Sequence, residues 1–132
     1  MRFTQDVSTG INVIRGYVNG ELRINETTHR GAVIVSATTL IDLANVQNLE
    51  DLLKSDVAAV MGLEPEVVLL GTGARQIFPA PAFGAQFMRA GIGFEVMDTG
   101  AACRTFNVLV GEQRRVAAIL WCDVDSGKTA GR

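Results

Sequence analysis

Aliphatic and β-branched runs alternate with segments of helical spacing along most of the chain. From Asn12 to Ser36 the pattern is that of strands. Val13 to Val18 and Glu21 to Ile24 flank Asn19-Gly20, two residues that tolerate the positive φ values of a type I′ hairpin turn. Ala32-Val33-Ile34-Val35 has no polar alternation, as expected of a strand covered on both faces. Leu40 to Leu43 predicts a short further strand. Leu49, Leu52, Leu53, Val57, Val60 and Met61 then recur at helical spacing, with Asn48 placed to cap the start and Gly62 to take the left-handed position after the end.

Glu64-Pro65 breaks the chain before a second apolar run, Val67-Val68-Leu69-Leu70, which ends in Gly71-Thr72-Gly73. A second helix is expected from Pro81, a residue favourable in a first turn, with Phe83, Phe87 and Ala90 on one face and Gly91 at its end. Phe94 to Met97 predicts the next strand, running into Asp98-Thr99-Gly100. The third helix, 100–113, places Ala102, Cys103, Phe106, Leu109 and Val110 on one stripe, and Val116 to Trp121 is the last strand. Trp121 and the six phenylalanines are assigned to the core. Strand–helix–strand repeated three times predicts an α/β fold: a mostly parallel central sheet with crossover helices, plus an N-terminal β-hairpin layer, giving three layers (β plus α/β/α). A single domain, 1–132, follows, with an ordered core over 12–122 and a polar tail over 123–132.

Composition changes this picture little. At 132 residues and 48% hydrophobic, the chain can build one core without staples. Twelve Lys+Arg against fourteen Asp+Glu, with no basic run, do not make the footprint of a nucleic-acid binder. The start, Met1 to Asp6, lacks an apolar signal core and an amphipathic Arg/Ser-rich presequence. No apolar run approaches the ~20 residues that span a bilayer, so a cytoplasmic, bacterial protein is expected. Cys103 and Cys122 lie nineteen positions apart and His29 is the only histidine, which fits no zinc or disulfide spacing; neither metal nor cofactor is expected.

The candidate chemistry lies in two strand-to-helix turns, at the carboxyl edge of a parallel sheet, where ligands commonly bind. Gly71, Thr72, Gly73 and Arg75 from the first turn, and Asp98, Thr99, Cys103 and Arg104 from the second, are the candidate ligand-binding residues. The glycines permit close backbone approach, the free N–H groups at a helix start favour an anion or carboxylate, and the arginines complete such a pocket. The same residues serve equally well as tight turns and a helix cap. A dinucleotide fingerprint fails, because Gln76 stands where its third glycine is required and Pro79 and Pro81 delay the helix. Ser126-Gly127-Lys128-Thr129 mimics the end of a phosphate loop, but Cys122 stands where the first glycine belongs and no helix can follow. Cys103, in the first turn of a helix beside Arg104, is a candidate nucleophile that would need His29 as base from a distant strand. Its stripe with Phe106 and Val110 is also that of a buried structural thiol, and no residue is assigned a catalytic role.

Leu69-Leu70-Gly71-Thr72-Gly73, then Gly93 through Leu109 with its Met97-Asp98-Thr99-Gly100-Ala101-Ala102-Cys103-Arg104-Thr105-Phe106-Asn107 core, then Glu112 and Arg115-Val116-Ala117-Ala118 together resemble the hallmark segments of the domain of unknown function 498 family. The resemblance runs from Tyr17 to Leu120. It implies a compact α/β fold with a mixed central sheet and a further β layer, and no defined reaction. Mitochondrial members of that family are assembly factors for respiratory complex I that work through protein partners. The resemblance therefore points to a non-catalytic binding or assembly module with protein partners, linked to respiratory-complex assembly. The residue pattern keeps a second reading open, a small-molecule or anion site, enzymatic or not, at 71–75 and 98–104. A homo-oligomer formed through an exposed sheet edge or the hairpin is a further expectation.

Overall fold

The structure is a computed structural model that describes residues 10–43, 46, 48–53 and 57–122; the polar tail inferred for 123–132 lies outside the described residues. The first layer is a meander of β1 (Ile14–Val18), β2 (Glu21–Ile24) and β3 (Thr27–His29). Asn19 and Gly20 take φ of 55° and 78°, the hairpin turn expected from their side chains. A second two-residue turn at Asn25-Glu26, with Asn25 at φ 53°, adds β3, since Ile24 pairs with Thr27. Asparagine tolerates the left-handed region without a following glycine, so this turn carries a weaker sequence signal than Asn-Gly.

The second sheet runs β5-β4-β8-β6-β7, with β4 at Ala32–Ser36, β5 at Leu40–Asp42, β6 at Val67–Thr72, β7 at Gly93–Met97 and β8 at Val116–Trp121. β6 is parallel to β7 and β8, whereas β4 is antiparallel to both β5 and β8. Four strands therefore point one way and only β4 is reversed. The short strand at Leu40 decides this direction, because the β4–β5 hairpin turns the chain before the helices begin. Three helical connections then join co-directional strands. α1 (Leu49–Leu53) and α2 (Val57–Gly62) lie between β5 and β6, α3 (Pro81–Arg89) between β6 and β7, and α4 (Thr99–Gly111) between β7 and β8.

The sheet separates two apolar clusters. On one face Val33, Val35, Leu69, Ala118 and Leu120 meet Ile14, Leu22 and Ile24 of the meander and Ala102, Cys103 and Phe106 of α4. On the other, Ala32, Ile34, Val68, Leu70 and Ile119 meet Leu52, Val60, Phe83 and Phe87 of the remaining helices. β4, β6 and β8 alternate sides yet are buried on both, which explains their unbroken apolar sequences. Asn107 fastens α4 to β1 by imitating a strand partner: its amide donates to the Ile14 carbonyl at 2.7 Å and accepts the Ile14 N–H at 3.1 Å.

Helix ends follow the sequence with one correction. The Asn48 carboxamide accepts the Asp51 N–H at 2.8 Å, and Gly91, φ 80°, receives the end of α3. Gly62, expected in the left-handed position, is instead the last residue of α2, and Glu64 adopts φ 54° immediately before Pro65. A following proline disfavours the right-handed helical region for the residue before it, so the chain reverses at Glu64. A second correction concerns the phenylalanines. Phe83, Phe87 and Phe106 are buried and Phe94 stacks on Phe87, but Phe78 is 72% exposed; Phe3 lies outside the described residues. Pro79 and Pro81 hold its segment extended, so neighbouring side chains point opposite ways; Ile77 takes the inner position and Phe78 faces outward.

Candidate functional site

The two turns meet. Gly71 pairs with Met97 on one side and Leu120 on the other, and Thr72 pairs with Trp121, so segments 71–75 and 98–104 are neighbours on the carboxyl rim. The Thr99 N–H donates to the Gly73 carbonyl at 2.9 Å. Close contact is possible because position 71 has no side chain. A Cβ there would lie 3.0 Å from Leu120 Cδ2, 3.0 Å from Thr99 Oγ1 and 3.1 Å from Thr99 Cα. Gly73, at φ 94°, turns the chain out of β6 in a conformation that side chains disfavour.

Two buried threonines fasten this rim. Thr99 Oγ1 accepts the Gly73 N–H at 2.7 Å and donates to the Trp121 carbonyl at 2.6 Å, tying the ends of β6 and β8 to the start of α4. Thr72 Oγ1 accepts the Ile77 N–H at 3.0 Å and donates to the Arg75 carbonyl at 2.6 Å, which folds the following loop back on the strand. Both residues are fully buried. Their hydroxyls thus satisfy backbone groups at the strand ends.

The start of α4 is similarly occupied. Asp98 is the N-cap and accepts the Ala101 N–H at 2.8 Å, while the Thr99 N–H is held by Gly73. Cys103 lies on the buried face, and burial pushes its thiol up to about 12; nearby Cys122 and Asp98 reinforce the shift and Arg104 opposes it. The thiol is therefore protonated at neutral pH, the weakly nucleophilic form. His29 makes no hydrogen bond to it. The ring contacts Asp42 Oδ2 through Nδ1 at 3.1 Å and Thr27 Oγ1 through Nε2 at 2.8 Å, linking the meander to β5. Arg75 and Arg104 are exposed, and neither forms an ion pair among the described residues. The described residues contain no group of three or more His, Cys, Asp or Glu arranged to hold a metal ion.

Two contributors to this rim escape a reading of the sequence. Gln76 Nε2 donates to the Val96 carbonyl on β7 at 2.9 Å, across the loop, and Phe78 projects from the same loop. The paired prolines after Phe78 were the available signal, since they bar the loop from helix and from sheet pairing. At the opposite pole a groove of about 400 Å³ opens between Ile11, Leu63, Pro65, Val110 and Arg115. Glu66 borders that pole, accepting Arg114 Nε at 2.7 Å and the Arg115 N–H at 3.0 Å; these bonds hold its carboxyl below the usual carboxylate range.

A family of proteins of unknown function, DUF498/DUF598, matches residues 14–121, from the first strand to the last. The chain belongs to this family. A relative from Francisella tularensis, the 13 kDa major membrane protein, is 30% identical over 105 residues, 79% of this chain and 85% of its own length. The NADH dehydrogenase [ubiquinone] 1 alpha subcomplex assembly factor 3 of Danio rerio is 35% identical over 118 residues, covering 88% of this chain and 67% of that protein. A crystal structure from Bordetella parapertussis superposes with a TM-score of 0.77 at 34% identity, over 87% of this chain and 98% of that one. Relatives of the chain are thus named as assembly factors, and the Bordetella parapertussis structure shares the α/β architecture described above. No helix among the described residues is long and apolar enough to cross a membrane.

Proposed function

We propose that this protein is a non-catalytic assembly module that binds protein partners through the carboxyl rim at 71–75 and 98–104. One observation carries the reading: the hydroxyls and thiol that a reactive pocket would use are consumed or protonated. Thr72 and Thr99 bond to backbone and Cys103 is buried, whereas Arg75 and Arg104 stand free of ion pairs among the described residues. Such a rim is a rigid platform with charged side chains on top, suited to recognising a surface. The relative named as an assembly factor for NADH dehydrogenase supplies the class of partner: a subunit of a respiratory complex being put together.

The test uses the host from which the chain comes. Removing the protein lowers the amount of assembled NADH dehydrogenase on native gels, and the tagged protein migrates with a subcomplex. The double variant Arg75→Glu/Arg104→Glu stays folded and fails to restore assembly. Normal assembly in the deletion strain, together with no co-migrating subcomplex, overturns the proposal. A second reading, an anion held beside Arg104 at the start of α4, rests on the same two arginines. Titration with inorganic phosphate, followed by amide shifts of residues 98–104, separates the two: saturable shifts favour the anion site, and their absence removes it.

A further inference from the structure

Between Glu66 and Glu95 the sequence contains no acidic residue, and the only charges in that stretch are Arg75 and Arg89. The structure places much of it on the surface. Phe78 is 72% exposed in the loop and Met88 is 58% exposed on α3. Pro81, Ala82, Ala85 and Met88 share one helical face, turned away from the buried Phe83 and Phe87, and Arg89 adjoins it. An apolar strip thus runs from Phe78 along α3, with a cation near each end. Neither arginine has an ion-pair partner among the described residues.

The loop is ordered before anything binds. Thr72 Oγ1 grips it at Arg75 and Ile77, Gln76 holds the edge of β7, and two prolines restrict its backbone. A pre-ordered aromatic loses little conformational entropy on burial. We propose that loop 74–80 and the outer face of α3 form a reversible docking surface for an anionic phospholipid bilayer. An apolar face bordered by arginines, with no carboxylate in its own segment, suits a negatively charged interface, with the phenylalanine in the acyl boundary and the guanidinium groups among phosphates. With no helix among the described residues able to cross a membrane, attachment through this face is interfacial. This surface shares Arg75 with the rim proposed above for protein partners, whereas Phe78, Met88 and Arg89 belong to it alone.

The experiment is co-sedimentation of the full chain with vesicles. Vesicles of phosphatidylglycerol and phosphatidylethanolamine in equal parts carry the protein down, less so as salt rises, while phosphatidylcholine vesicles do not. Phe78→Asp lowers the partition coefficient by about tenfold or more, and Arg75→Ala and Arg89→Ala by about fivefold each. Val108→Ser, which alters an exposed valine on α4 across the sheet, leaves it unchanged. Circular dichroism establishes that each variant is folded. No sedimentation of the wild-type chain, equal sedimentation with both vesicle types, or a Phe78→Asp variant that binds like wild type overturns the proposal. So does a Phe78→Asp variant that loses co-migration with a protein complex while vesicles carry down neither form, which would assign the face to a protein.

Discussion

Replacing Thr99 by valine keeps the side-chain shape and removes one oxygen. That oxygen accepts from Gly73 N–H at 2.7 Å and donates to the Trp121 carbonyl at 2.6 Å, in a residue with no exposed surface. Water cannot enter to replace it, so two backbone groups are left without partners. Each stranded group costs about 1–3 kcal/mol, and the extra buried methyl returns about 1, for a net loss of about 3 kcal/mol. Domains of this size have a stability of about 5–15 kcal/mol, so the loss is a substantial fraction. In urea denaturation with a slope of about 1.5 kcal/mol/M, the midpoint falls by about 2 M. Thr99→Ser restores the oxygen and loses one methyl, costing about 1 kcal/mol. Thr72→Val costs less than Thr99→Val, about 1 kcal/mol, because its loop partners can reach water. A midpoint for Thr99→Val within 0.3 M of wild type (about 0.5 kcal/mol at that slope) would refute the clasp. Equal losses for Thr99→Ser and Thr99→Val would show that the hydroxyl is not the cause.

Gly71→Ala places a methyl 3.0 Å from Leu120 and Thr99, and this overpacking costs about 1–3 kcal/mol in the same urea assay. Cys103 resists iodoacetamide in the native protein at neutral pH and reacts on unfolding; modification at the rate of a free thiol would contradict its burial. Because the folded thiol is raised to about 12 from 9.0, its stabilisation is full at pH below the unfolded value and is lost as pH climbs towards 12; Cys103→Ala flattens that alkaline decline. For Glu66 the sign is opposite. Its folded carboxyl is lowered from 4.5, so its contribution is present above that pH and disappears as pH falls through the folded value, and thermal melts of Glu66→Gln show a weaker acid dependence than wild type.

Much of the fold could be read from the sequence because its signals are local. Three strands buried on both faces are written as unbroken apolar runs, and Asn19-Gly20, Asn48 and Gly91 mark their turn and helix ends unaided. Placing both turns on the carboxyl rim was also legible, because co-directional strands joined by helices put every strand-to-helix turn on one side. Which way a hydroxyl points was not. Thr72 and Thr99 suit a ligand pocket or a backbone clasp equally well in sequence, and only the distances to Gly73, Arg75 and Trp121 distinguish the two. Phe78 was assigned to the core because large aromatics usually bury, yet its exposure follows from two prolines and from Ile77 taking the inner position.

The segments that resemble the family's hallmarks are therefore largely those the fold spends on itself. Gly71 admits Thr99, Thr99 and Thr72 close the rim, Asp98 caps α4, Cys103 and Phe106 fill the core, and Asn107 holds β1. Each makes a contact that the architecture needs whatever the protein binds, so a match over residues 14–121 carries the fold further than it carries a reaction. What distinguishes one member's work from another's has to lie in side chains the fold does not consume. On the carboxyl rim these are Arg75, Phe78 and Arg104, all exposed and mounted on a loop or helix fixed by part-buried hydrogen bonds. Changing them should leave urea midpoints near wild type while altering what the protein docks to, the reverse of the pattern expected for Thr99.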